Sequence, residues 1–163
     1  TIQNVWDRHI LDCLQLVYFI KNKKSTIVDL GTGAGLPGVL FSIVGYQNVL
    51  MIESIKKKSD FVKKIINELS LQAKIQNNRI EKSKLLSKDI VVSRALAPLT
   101  KLLSYALMHS HKNSTLLFLK GRNVNNEIDN AMKYFLFDII KTKSLSIGDG
   151  CIIKIKNLKI KNA

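Results

Sequence analysis

The sequence predicts an α/β fold in which a mostly parallel sheet carries helices on both faces and ends in an antiparallel hairpin. Three observations carry this. Short β-branched runs alternate with longer helical periods along the chain, glycines cluster where the first run ends, and the last two apolar runs flank Gly148-Asp149-Gly150. The 163 residues are expected to form one domain, residues 1–163. With 46% hydrophobic and 23% charged residues the chain has enough apolar surface for a core, which excludes a disordered tail.

Each element follows from its local pattern. Val5 to Ile20 places Ile10, Leu11, Leu14, Val17 and Tyr18 on one side and reads as an amphipathic helix within an N-terminal helical segment, residues 1–25. Thr26 to Leu30 is an apolar run ending in glycines, and Leu36 to Val44 resumes helical spacing with Pro37 near its start. Asn48 to Glu53 reads as a second strand. The helix after it, from about Lys57 to Leu69, is expected to bury Phe61, Ile65, Ile66 and Leu69 on one face. Lys74 to Asn77 and Asp89 to Ser93 read as two further strands, and Pro98 opens a helix through Met108. Ser114 to Leu119 is a fifth strand and Val124 to Lys133 a helix, before the hairpin of Phe135 to Ile147 and Cys151 to Leu158.

Lys and Arg number 26 against 12 Asp and Glu, a net charge of +14 that favours a polyanionic partner, nucleic acid ahead of an anionic membrane. Only four of these bases are arginine, and the richness in Ile, Lys and Asn also matches A/T-biased coding. No apolar run approaches the roughly 18 residues of a spanning helix, so a soluble protein is expected. Cys13 and Cys151 lack metal-site or disulfide-framework spacing, which points to a reducing cytoplasm and no metal. The chain begins at Thr1 without a leader pattern, and its natural start is expected to be missing.

The most informative stretch is Asp29-Leu-Gly31-Thr-Gly33-Ala-Gly35-Leu36-Pro37-Gly38. Gly31, Gly33 and Gly35 clear side chains where a strand turns into a helix, so a nucleotide-like ligand can approach the backbone. Gly33-x-Gly35-x-x-Gly38 also satisfies the dinucleotide pattern, and charge decides between the ligands. A pyrophosphate disfavours the carboxylate of Asp29, whereas the sulfonium and ammonium groups of S-adenosyl-L-methionine are attracted by it. Glu53, at the end of the next strand, can accept ribose hydroxyls of either ligand. The bland alternative makes both acids helix caps.

These residues resemble the bacterial small-subunit (16S) ribosomal RNA guanine-N7 methyltransferases, the RsmG or glucose-inhibited division protein B (GidB) family. The likeness runs over nearly the whole chain: Arg8-His9-Ile-Leu-Asp12, Asp29 through Gly38, Glu53-Ser54 with Lys57-Lys58, Arg79-Ile80-Glu81, Ser93-Arg94-Ala95 and Leu119-Lys120-Gly121-Arg122. It implies a Rossmann-like class I methyltransferase that transfers a methyl group from S-adenosyl-L-methionine to a guanine of small-subunit ribosomal RNA or its assembling particle. It further implies that Gly31 and Leu36 touch the cofactor, that Ile80 and Glu81 border its adenine, and that Arg94 reaches the cofactor side of the cleft. Lys120 then faces the RNA or target base. Arg8, His9 and Arg122 are candidate RNA contacts. Similar proteins carry another helix or two before Arg8, so the front is expected to be shortened.

The chemistry fits the residue set. Guanine N7 offers an in-plane lone pair, so its methylation requires alignment rather than a general base. The product is cationic, which assigns Arg94 and Lys120 to phosphate, base-edge oxygen or cofactor carboxylate rather than to the ring face. The alternatives are a methyltransferase of the same fold acting on a protein or small molecule, a nonenzymatic RNA-binding remnant, and a nicotinamide dehydrogenase. The protein is expected to be a monomer. His109 and His111 are given no role, and Trp6 is expected to pack rather than to stack on a base.

Overall fold

The computed structural model describes residues 6–146 and 149–161, with the side chains of Asp7 and Arg8 outside the description. Seven strands form one sheet: β1 (Thr26–Leu30), β2 (Asn48–Glu53), β3 (Ala73–Asn77), β4 (Lys88–Arg94), β5 (Ser110–Lys120), β6 (Phe135–Lys143) and β7 (Cys151–Ile160). Their spatial order is β3-β2-β1-β4-β5-β7-β6. The first five are mutually parallel, whereas β7 enters antiparallel between β5 and β6. The four main helices are α1 (Gly38–Ile43), α2 (Lys56–Glu68), α3 (Leu99–His109) and α4 (Val124–Ala131).

Continuous apolar runs are what a sheet covered on both faces requires, and alternate residues of each run serve opposite cores. Val28, Leu30, Ile52, Val91, Leu116 and Phe118 join Leu99, Leu102, Leu103 and Ala106 of α3. Ile27, Val49, Met51, Ile90, Val92 and Leu117 join the N-terminal segment, α1 and α2 through Leu16, Phe41 and Val62. The order reverses beside β1, so β1 and β4 open a crevice at their carboxyl ends, the place where such sheets take ligands.

Several expectations are corrected. The front is not one regular helix but a π-helical turn Trp6–Leu11, an α turn Asp12–Leu14 and a 3-10 turn Gln15–Phe19. Angular spacing changes at each junction and rotates the buried stripe onto Cys13, Leu16 and Ile20, leaving Tyr18 85% exposed. Trp6, expected to pack, is 58% exposed. In α2 the buried positions are Ser59, Val62 and Ile66, with Phe61 and Leu69 exposed, because Val62 is the side chain that meets the glycine loop. Strand β5 starts four residues earlier than expected, and α4 ends two residues sooner. The expected helix start at Val5 and the hairpin residue Gly148 lie outside the described residues.

Candidate active site

Between β1 and α1 the chain reverses through Gly31, Gly33 and Gly35 with φ of +67°, +61° and +97°. These left-handed conformations favour glycine. At Gly31 a Cβ would also collide with Leu96 Cδ1, whereas at Gly33 it would meet open space. Thr32 anchors the bend: its amide donates to the Ile52 carbonyl at 3.1 Å, and its hydroxyl donates to Asp29 Oδ2 at 2.5 Å.

The same Asp29 oxygen accepts the Gly38 amide at 2.9 Å, at the first residue of α1. Asp29 is completely buried, and its other oxygen, Oδ1, has no partner among the described residues. Burial pushes its pKa up from 3.8 to about 6, against the opposing hydrogen bonds from Thr32 and Gly38 and with a further push from the Glu53 charge. Asp29 therefore sits beneath the loop and caps α1 rather than forming the cavity wall. Asp29, a candidate for cofactor binding from sequence, is thus not among the residues that line the cavity.

Above the loop lies a cavity of about 580 Å³. Gly31, Gly33, Leu36, Glu53, Ile80, Glu81 and Arg94 all line it, whereas Asp29 and Gly35 do not. Glu53 Oε2 accepts the Gly33 amide at 3.0 Å and Oε1 accepts the Ile55 amide at 2.8 Å. A carboxylate thus already occupies a loop N–H that a pyrophosphate would need, which disfavours a dinucleotide and leaves further lone pairs for hydroxyl donors. Opposite stands the turn of Ile80–Lys82, where the Tyr105 hydroxyl donates to Glu81 Oε1 at 2.7 Å and holds that carboxyl below its usual range. Lys58, part of the motif after Glu53, also lines the cavity, as do Tyr105, Asn78 and Lys101, which were not singled out from sequence. Asn78 alone carried a signal, as the residue following the third strand.

A second cavity of about 570 Å³ shares His9, Arg94, Ala95 and Leu96 with the first and extends to Lys120, Gly121 and Glu127. Arg94 hydrogen-bonds His9 Nδ1, and its Nη1 lies 4.0 Å from Cys13 Sγ. No acid pairs with Arg94 among the described residues. Burial pushes the Cys13 thiol up to about 12, which keeps it protonated. Ala95, at the junction of the cavities, has a φ of +50°. Lys120 is nearly buried, bonding Glu127 Oε2 at 2.5 Å and the Ala97 carbonyl at 3.0 Å. Arg122 instead lies exposed against Asp149 at 2.7 Å, and the Arg8 side chain lies outside the described residues.

The family model for rRNA small subunit methyltransferase G (GidB) matches residues 1–151. The chain belongs to this family. The ribosomal RNA small subunit methyltransferase G of Orientia tsutsugamushi (strain Ikeda) is 40% identical over 156 residues, covering 96% of this chain and 78% of that protein. Its counterpart in Paramagnetospirillum magneticum is 34% identical over 158 residues, covering 97% and 77%. In architecture the chain is similar to the crystal structure of a ribosomal protein L11 methylase from Lactobacillus delbrueckii subsp. bulgaricus, with a TM-score of 0.76 at 17% identity over 92% of this chain and 78% of that one. The family member is thus a class I methyltransferase in fold, with S-adenosylmethionine as its methyl donor. Among the described residues no group of three or more His, Cys, Asp or Glu side chains could hold a metal, and no helix is long and apolar enough to cross a membrane.

Proposed function

We propose that this GidB-family chain, as one methyltransferase domain, methylates N7 of a guanine in small-subunit ribosomal RNA. The observation that carries the reading is a pair of cavities joined at Arg94, Ala95 and Leu96, one built around the glycine loop and the other around Lys120. Glu53 accepts ribose hydroxyls of the cofactor, Ile80 provides an apolar wall for its adenine beside Glu81, and Arg94 meets its carboxylate. Gly31, Gly33 and Leu36 form the floor, with Gly35 and Asp29 supporting it from below. When bound, S-adenosylmethionine supplies an electrophilic methyl group on a sulfonium.

The second cavity receives the guanine. Lys120 spends one N–H on Glu127 and one on the Ala97 carbonyl, leaving a third for a phosphate or base-edge oxygen. His9 lines both cavities, where it positions Arg94 and meets incoming RNA, and Arg122 contacts the RNA at the rim. No side chain must remove a proton, because the acceptor nitrogen carries none.

The test is to incubate the protein with labelled S-adenosylmethionine and small-subunit RNA, then map N7-methylated guanines by strand cleavage at those sites. Label at one guanine is expected. Label elsewhere, or cofactor binding without RNA methylation, overturns the reading.

A further inference from the structure

Strands β6 and β7 form the antiparallel end of the sheet, with one face packing Phe135, Ile153 and Ile155 against the helices. Register places Lys154 opposite Ile140, Lys156 opposite Asp138 and Lys159 opposite Leu136, so these six side chains share one face. On this side of the sheet the N-terminal segment covers Ile152 but stops at Phe19. Beyond it Leu136 is 52% and Ile140 61% exposed.

The charge on this face is one-sided. Among the described residues none of the three lysines is in an ion pair, and the carboxylate of Asp138, the one acid on the face, accepts the Asn157 side-chain amide at 2.5 Å. Aromatic surface borders it: the Lys154 ammonium lies 6.0 Å from the Phe19 ring, and Tyr18 stands edge-on to Phe19 with its own ring in solvent. Point-charge ammonium groups beside an exposed aromatic ring suit a sugar-phosphate backbone, with phosphates on the lysines and a base against the ring.

The strand pair also has a fixed relation to the cleft. Cys151 pairs with Lys120, so β7 starts at the proposed target site and runs away from it. At about 3.3 Å per residue, Lys154 and Lys159 lie roughly 10 and 25 Å along the strand from that end. We propose that Lys154, Lys156 and Lys159 form a second RNA contact surface, which grips backbone phosphates flanking the target nucleotide while the cleft takes the base. This rests on the proposed function, because it presupposes an RNA substrate.

The test compares wild type with a K154Q/K156Q/K159Q triple variant, its fold checked by thermal denaturation and cofactor titration. Binding to small-subunit RNA is measured across a salt series. Losing three phosphate contacts should flatten the slope of log affinity against log salt by about 2 to 3, with cofactor affinity unchanged. A shift confined to this long RNA, with methylation of a short oligonucleotide carrying only the target guanine unchanged, supports the inference. An unchanged slope in a variant whose wild type methylates RNA overturns it alone. A defect seen only with protein-containing particles and not with naked RNA also overturns it, by assigning the face to a protein. A wild type that binds cofactor but neither binds nor methylates RNA overturns the proposed function beneath it.

Discussion

Replacing Asp29 by asparagine isolates the electrostatics beneath the glycine loop. The carboxyl is wholly buried and its pKa is raised from 3.8 to about 6. Between those values the native state holds a proton that the unfolded chain has released, so this group makes the protein less stable as pH rises. The slope is about 1.4 kcal/mol per pH unit at most, and the step from pH 4 to pH 7.5 comes to about 2.4 kcal/mol. Asp29→Asn keeps an oxygen to accept from Thr32 Oγ1 and the Gly38 amide but cannot ionise. Urea unfolding of both proteins from pH 4 to 7.5 should therefore give a stability difference that moves by about 2.4 kcal/mol in the variant's favour. Subtracting the curves removes the carboxyls of Glu81 and Asp89 and the buried His109, whose shifts act alike in both proteins.

The same substitution separates charge from structure at the cofactor cavity. An ionised carboxylate one layer below the loop attracts a cation above it, so wild-type affinity for S-adenosylmethionine should weaken on acidification through pH 6 while the asparagine variant stays flat. Asp29→Ala leaves two buried donors without an acceptor, at about 1 to 3 kcal/mol each, and should lose both stability and cofactor affinity. Parallel stability curves for wild type and Asp29→Asn would refute the reasoning, because they would mean that Asp29 titrates as an ordinary solvated carboxyl.

Glu53→Ala should weaken cofactor binding by about 1 to 3 kcal/mol in calorimetric titration. An unaltered titration would leave Glu53 only its bonds to the Gly33 and Ile55 amides. Gly31→Ala should cost clearly more stability than Gly33→Ala, since both have positive φ, worth about 1 to 2 kcal/mol of strain, but only Gly31 would also drive a Cβ into Leu96. Equal melting-temperature losses would contradict this. Glu127→Ala should destabilise by about 2 to 4 kcal/mol by stranding Lys120 and the Leu99 amide, somewhat below the cost for a fully buried pair because Glu127 is 20% exposed. A loss under about 0.5 kcal/mol in chemical unfolding would show that water replaces the carboxylate.

The strand, glycine turn and helix at residues 26–43 were legible because each rests on local chemistry: a β-branched run, left-handed positions and a proline at the helix start. Glu53 was legible for the same reason, as an acid closing a strand beside that turn. The destination of the Asp29 carboxylate was not, because sequence places an acid at a strand end without saying whether it points into the cleft or under the loop. Helical periodicity misjudged the faces of the N-terminal segment and of α2, where turn type and the glycine loop select the buried stripe. The insertion of β7 between β5 and β6 depends on pairing across more than 30 residues, which no local pattern encodes.

Methyl transfer to guanine N7 moves a positive charge from sulfur onto the base, so the cations around the acceptor cavity bear on the barrier. A free lysine there would oppose the product. Lys120 is not free: Glu127 contacts it at 2.5 Å, and the pair carries no net charge while still presenting an N–H. Arg94 remains charged, but its guanidinium is drawn toward His9 and Cys13 at the wall between the cavities. With the guanine placed as proposed, the arrangement keeps hydrogen-bond donors where the substrate must be oriented and cancels the charge nearest the developing cation. On this reasoning Glu127 matters to turnover as well as to folding. Its removal leaves a bare ammonium that attracts RNA phosphate more strongly but resists the guanine cation, so substrate affinity and rate should move in opposite directions.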